Sequence, residues 1–248
     1  MRLHWLLPSI QGIPILMYHK VWEGVNDSLT MTPEKLREQW LWLKEQGYNA
    51  IHLADFLRAT KTGIYKEKSI LITFDDGYTN NLQYAYPLLK ELNWAATFFI
   101  IADNVDGTAK RSIDASNRKM DLAELKQLDP ATVQLGMHGY NHESFSDTKI
   151  EDIKNILEKS VHAFESSGLV FHKVLAYPYG ARPKVASEFS TLKKWMLEFG
   201  MEAAFRIGNK PCAMPAPDIF EIKRIDIKGA DTIKDLTIKL RKGKLKPF

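Results

Sequence analysis

Asp75 and Asp76 stand side by side, followed by Gly77, directly after the apolar run Ser69–Phe74. Two neighbouring carboxylates leaving a buried strand repel each other unless a cation compensates. Adjacent side chains of an extended chain point to opposite sides, so one carboxylate can hold a metal while the other faces a substrate. Asp-Gly is also a common turn signal, and alone the triplet reads equally well as a turn. A second polar group, His138 with His142 four residues on, follows the run Val133–Met137. Zinc accepts imidazole nitrogen and carboxylate oxygen. Two histidines and one aspartate make three protein ligands and leave a position open for water, the pattern of a catalytic site. Ala176-Tyr177-Pro178-Tyr179-Gly180 closes a third run. It reads as a plain aromatic turn or as a rigid loop aiming a backbone N–H at a developing oxyanion.

The elements that must position these residues alternate. Apolar runs at 13–18, 69–74, 95–101, 133–137, 173–176, 203–207 and 221–227 predict strands. Helices are predicted between them, at 80–92, 121–128, 149–164, 188–199 and 232–240. A further helix opens at Thr32-Pro33-Glu34, with Thr as cap and Pro at the first helical position, and stops at Gly47. Strands alternating with helices predict an α/β fold: a parallel sheet, closed or nearly closed into a barrel, in one domain spanning residues 1–248. Chemistry in such barrels sits at the C-terminal ends of the strands. His19, Asp75, Asp76, His138 and Tyr177 each follow an apolar run directly, so the metal-capable residues collect at one predicted rim.

Thr73-Phe74-Asp75-Asp76-Gly77, the pair His138 and His142, and Pro178-Tyr179-Gly180 together resemble the polysaccharide deacetylase family. This is carbohydrate esterase family 4, with the NodB-homology fold. The order and spacing match from about Pro14 to Asp226. Pro14-Ile15-Leu16-Met17-Tyr18-His19 is similar to the start of the circularly permuted branch that contains poly-N-acetylglucosamine deacetylases. The resemblance implies a distorted (β/α)7-type barrel and a hydrolase that removes N-acetyl groups from an amino sugar. It implies Asp75 as general base and His19 as general acid. Asp76, His138 and His142 become the metal ligands, and Tyr179 gives its backbone N–H to the oxyanion, in a substrate loop with Tyr177, Pro178 and Gly180. The metal it implies is divalent, Zn2+ first, with Co2+ or Ni2+ as alternatives. Two positions depart from the family pattern. Gly139 stands where Ser or Thr usually follows the first metal histidine, and Ala176 stands where an arginine usually orients the base. Arg206 and Arg224 are the candidates for the missing charge, with Asp226 as a potential partner, although a rim salt bridge explains all three equally well.

Composition narrows the partners. The 248 residues are 45% hydrophobic and 26% charged, ordinary for a folded protein. A net charge of +4, with no basic stripe interleaved with aromatics, argues against nucleic acid. The basic tail at about 239–248, with Lys239, Arg241, Lys242, Lys244 and Lys246, is expected to be solvated or to touch an anionic membrane or lipid-linked glycan weakly. The single cysteine, Cys212, has no activating neighbour and is expected to be inert. His4, His52, His162 and His172 follow no strand-end motif and are expected to be structural or superficial, and Trp40, Trp42, Trp94 and Trp195 to be packing. No signal peptide or membrane span is predicted, which favours a cytoplasmic protein, peripheral to the inner membrane at most. The oligomeric state is not legible. Two rival readings stay open: a metal amidohydrolase acting on a non-sugar amide, and a glycan-binding relative that has lost turnover.

Overall fold

A computed structural model describes residues 12–24 and 27–242. The chain enters on β1 (Ile15–Tyr18), a short pair β2 (Lys20–Val21) and β3 (Thr30–Met31), and α1 (Pro33–Glu45). Thr32 caps α1 by accepting from the Lys35 N–H, as its sequence predicts. Then follow β4 (Asn49–Ala50), α2 (Leu53–Thr62), β5 (Ser69–Phe74), α3 (Tyr86–Leu92), β6 (Ala96–Ile100), α4 (Leu122–Leu125) and β7 (Val133–Met137). The chain ends on α5 (Ile150–Ser167), β8 (Phe171–Ala176), α6 (Ala186–Glu198), β9 (Ala203–Ile207), β10 (Ile222–Asp226) and α7 (Ile233–Lys242).

Seven strands close a parallel ring in the order β1-β10-β9-β8-β7-β6-β5, and β5 pairs back to β1 through Ile15 opposite Leu71 and Tyr18 opposite Phe74. The expected α/β barrel is therefore observed. Its distortion lies at β5. The first residues of that strand, Ser69 and Ile70, pair with β4, and its last, Thr73 and Phe74, pair with β6. Strands buried on both faces read as continuous apolar runs, which is why they were legible. One apolar cluster fills the barrel with Ile15, Leu71, Phe99, Val174, Phe205 and Ile222. A second lies between the strands and the outer helices, around Trp40, Phe74, Phe98 and Phe164.

One helix is new and two expected helices are corrected. Nothing in the sequence announced α2, which plugs the barrel from below with Leu53, Phe56 and Leu57; the Phe56 ring lies 5.8 Å from that of Phe205. Its N-terminal residue His52 makes no side-chain cap, and Gln134 of β7 accepts from the Leu53 N–H instead. A cap drawn from a distant strand leaves no local signal. The helix expected over 80–92 begins as a π-helical stretch, Asn81–Ala85, before α3. The helix expected over 121–128 is the single turn α4, held by a capping box between Asp121 and Glu124.

The C-terminal region also differs. Lys239 belongs to α7 rather than to a solvated tail: its ammonium donates to Asp226 O at 2.7 Å and pairs with Asp231. Lys244 and Lys246 lie outside the described residues, as does His4. No helix among the described residues is long and apolar enough to cross a membrane.

Candidate functional site

The rim at the C-terminal ends of the strands gathers the residues expected there. The Asp75 N–H donates to Tyr18 O at 3.0 Å, which extends the β1–β5 pairing by one residue and sets His19 beside the paired aspartates. Beyond Asp75 the chain turns sharply. Asp76 and Gly77 both take positive φ, +71° and +72°. A Cβ at Gly77 would meet Ile100 Cδ1 at 2.9 Å. His142 at φ +67° and Tyr179 at φ +57° are further non-glycine residues in the left-handed region. Each costs of order 1–3 kcal/mol, and such strain gathers where side chains must be aimed.

Asp76, His138 and His142 converge: one ligand atom from each lies within 4.8 Å of the others. Asp76 Oδ1 is 3.3 Å from His138 Nε2 and 3.2 Å from His142 Nε2. That oxygen is buried and makes no hydrogen bond. His138 Nδ1–H donates to Ala176 O at 2.8 Å, which leaves Nε2 facing Asp76. An orphaned carboxylate oxygen between two imidazole nitrogens fits a divalent cation, and the N,N,O donor set suits zinc. Charges in the site are tightly linked. Burial pushes the Asp76 carboxyl up, but His138, His142 and Lys119 outweigh it and hold it well below the carboxylate range. Burial pushes His138 down, but Asp75 and Asp76 outweigh it and raise it above the ordinary histidine value. A bound cation would displace that proton.

Asp75 is differently occupied. Arg224, fully buried, rises from β10 and grips it with two parallel bonds, Nη1 to Oδ1 and Nη2 to Oδ2, each 2.6 Å. Burial pushes the Asp75 carboxyl up, but Arg224, His138 and His19 together hold it below the usual range. Arg224 thus supplies the charge that the Ala176 position lacks. Arg206 does not; it pairs with Glu221 at 2.6 Å, shared with Arg182. Asp226 pairs with Lys228 at 2.9 Å rather than with an arginine.

His19 Nε2 stands 4.0 Å from Asp75 Oδ2. Burial holds this ring below the ordinary histidine value against the pull of Asp75 and Asp76.

The loop after β8 divides its labour. Tyr177 is buried, with its OH donating to Phe220 O at 3.0 Å. Pro178 is buried too. Both are buried and anchor the loop. Gly180 is required: at φ +64°, a Cβ there would meet Ile207 Cγ1 at 2.6 Å. Tyr179 is 66% exposed, its ring edge-on to His142 at 4.4 Å. The turn's own bonds use the Gly180 and Ala181 N–H groups, not that of Tyr179. Gly139 also finds its reason. It sits at φ +76°, and a Cβ would meet Pro178 Cγ at 3.1 Å, so Ser or Thr would be strained there.

One neighbour escaped the sequence reading. Lys119 brings its ammonium 3.3 Å from Asp76 Oδ2 and 3.1 Å from the centre of the Tyr78 ring. Burial pushes it down to about 8, with Asp76 pulling the other way. No motif marks this lysine; it comes from an irregular segment that only the fold brings to the rim. Cys212 is buried, its thiol pushed up to about 11, and among the described residues His52, His162 and His172 lie outside the Asp76, His138 and His142 group.

Comparison with known proteins follows the same direction. The family model for polysaccharide deacetylase matches residues 62–195, more than half of the chain. The chain is 24% identical over 201 residues to the poly-beta-1,6-N-acetyl-D-glucosamine N-deacetylase of Staphylococcus epidermidis, covering 79% of this chain and 67% of that protein. It is 28% identical over 113 residues to the Escherichia coli protein of the same name, covering 44% and 17%. With YxkH of Bacillus subtilis it shares 27% identity over 172 residues, 68% of this chain and 57% of YxkH. Several matched relatives are thus much longer than the stretch they share. Among solved structures, the Streptococcus pyogenes deacetylase PplD superposes with a TM-score of 0.77 at 19% identity, covering 94% of this chain and 99% of that one. IcaB from Ammonifex degensii gives 0.76 at 17% identity, covering 94% and 98%. Both show a shared fold.

Proposed function

The chain belongs to the polysaccharide deacetylase family, and on that premise we propose that it is a metal-dependent hydrolase removing N-acetyl groups from an amino sugar of a glycan. One observation carries this reading. The orphaned Asp76 Oδ1 between His138 and His142 lies beside a second aspartate held apart by Arg224. Names of relatives make poly-β-1,6-N-acetylglucosamine the first substrate to test.

A divalent cation held by Asp76, His138 and His142, Zn2+ first by donor chemistry and Co2+ or Ni2+ as alternatives, would polarise the amide carbonyl and acidify water. Asp75 is ionised at neutral pH and takes the proton of the attacking water. Arg224 fixes the plane of that carboxylate and keeps it charged. The Tyr179 N–H donates to the carbonyl oxygen as it gains charge. The carbon–nitrogen bond then breaks, and the nitrogen must leave as an amine carrying a proton. The proton that Asp75 has taken can reach the amine through His19, the acid of this reading. His19 Nε2, 4.0 Å from Asp75 Oδ2, lies on its path. The exposed Tyr179 ring offers a flat apolar face to a sugar.

Two observations bear on the rivals. The doubt about turnover rested on a missing arginine, and Arg224 occupies that role. No feature of the rim favours a cyclic amide. The test is acetate release by metal-free and metal-loaded protein from N-acetylglucosamine oligomers, beside hydrolysis of small cyclic amides, for wild type and His19→Gln. The expected result is metal-dependent acetate from oligomers, reduced roughly 10²–10⁴-fold in His19→Gln. Cyclic-amide hydrolysis without acetate would replace the substrate assignment. Full activity in His19→Gln would remove His19 from the proton path.

A further inference from the structure

We infer that Lys119 is a positioning residue for the metal centre, holding Asp76 by its outer oxygen so that the inner oxygen alone faces His138 and His142. This rests on the metal-centre reading above. The segment bearing Lys119 is bonded to the very loop that bears Asp76. Tyr78 and Lys119 form an antiparallel bridge. The Thr79 N–H donates to Arg118 O at 2.9 Å, and the Met120 N–H donates to Gly77 O at 2.8 Å. Arg118 is itself tied to Glu124, with Nη1 donating to Oε2 at 3.0 Å. The backbone therefore presents a lysine opposite the residue two places beyond Asp76.

The side chain completes the arrangement. Its ammonium is 3.3 Å from Asp76 Oδ2 and sits over the Tyr78 ring at 3.1 Å, with the side chain 21% exposed. An ammonium between a carboxylate and an aromatic face has its place fixed by both. Asp76 needs such a hold. Its backbone is in the left-handed region, and its Oδ1 has no hydrogen bond of its own. A carboxylate without an outer partner is free to rotate and to grip a cation through both oxygens. With Oδ2 engaged by Lys119, it offers one donor, and coordination positions stay open for water and substrate.

The sign of the effect separates this role from plain electrostatics. A cation beside a metal repels it, so a charge effect alone makes the metal bind tighter when Lys119 is neutralised. A positioning role makes it bind more weakly, by about 10–100-fold, the usual loss when an outer partner of a metal ligand is removed. The experiment is titration of the metal-free 248-residue chain with Co2+, followed by visible absorption, for wild type, Lys119→Met and Lys119→Arg. Lys119→Met is expected to bind Co2+ about 10–100-fold more weakly and with an altered spectrum, because the coordination geometry changes. Lys119→Arg, which keeps a charged donor, is expected to recover most of the affinity and the wild-type spectrum. Lys119→Gln, which keeps a neutral donor, is expected to fall between them and serves as the readout should Lys119→Met fail to fold. Affinity in Lys119→Met equal to or tighter than wild type, with an unchanged spectrum, overturns the inference, even if the KM for a glycan rises. Wild type that takes up no Co2+ overturns the metal-centre reading and this inference with it.

Discussion

Asp75→Asn is expected to lower kcat by roughly 10²–10⁴-fold, the scale of a lost general base, while the protein still takes up one equivalent of metal. The two aspartates are neighbours, yet their geometry separates their duties. Asp76 Oδ1 lies 3.3 and 3.2 Å from the two histidine nitrogens. Asp75 Oδ2 is 3.9 Å from His138, and both its oxygens are taken by Arg224. The paired variant Asp76→Asn is therefore expected to lose the metal itself. Metal content by elemental analysis, read beside acetate release, distinguishes the two. An Asp75→Asn protein that loses its metal, or that turns over at the wild-type rate, removes the base assignment. The variant has a stability consequence as well. Arg224 is wholly buried, and an amide cannot neutralise it, so a lower Tm accompanies the lost activity and metal must be measured on the folded fraction.

Arg224→Met is expected to be the most destabilising single change at this rim. Asp75 is 2% exposed and Arg224 0%. Breaking a buried pair by removing one partner typically costs about 3–5 kcal/mol, because the other charge is left uncompensated. The pH dependence carries the sign. In wild type, the folded-state pKa of Asp75 is held below the usual value. The pair's contribution is therefore present above the unfolded pKa and fades as pH falls through the folded one. In the variant, burial acts without the guanidinium and the folded pKa is higher. The stability gap between the two proteins should be widest near neutral pH and shrink towards about pH 4. Urea unfolding at the two pH values measures it, and a gap that stays constant or grows on acidification sinks the argument. Activity should fall about 100-fold or more, since a base that is displaced or protonated cannot take the water's proton. Lys at this position is not equivalent, because it cannot make the two parallel bonds.

Much of this was legible because barrel strands are buried on both faces. Ser69–Phe74 and Val133–Met137 appear in the structure with the bounds their apolar runs predicted. Once the strands were placed, Asp75, Asp76, His138 and His19 had to share a rim. What was not legible depended on distance along the chain. Arg224 was one of two candidates for the missing charge, and the sequence could not choose between it and Arg206. The meaning of Arg224 comes from Asp75, 149 positions away. The α2 plug lacks its own cap and borrows Gln134 from β7. Lys119 acquires a role only through the bridge to Tyr78. Tyr177 was legible by position but not by burial. Its place in the loop after β8 did not show that its ring would be buried.

The closure of the ring on β1 has a consequence in time. A ribosome delivers β1 and β5 early, and they can pair at once, but one edge of β1 stays open until β10 arrives to cover it. At ordinary synthesis rates of about 5–20 residues per second, the 149 positions from Asp75 to Arg224 take roughly seven to thirty seconds to make. Through that interval the nascent chain carries an unpaired strand edge, a template for wrong partners, and an aspartate whose counter-charge does not yet exist. Stalled chains ending before Ile222 are accordingly expected to stay protease-sensitive, and to become resistant once β10 has emerged; resistance at the shorter length would contradict this order. The strand that seals the barrel also brings Arg224 to Asp75, so the rim is complete only once β10 is in place.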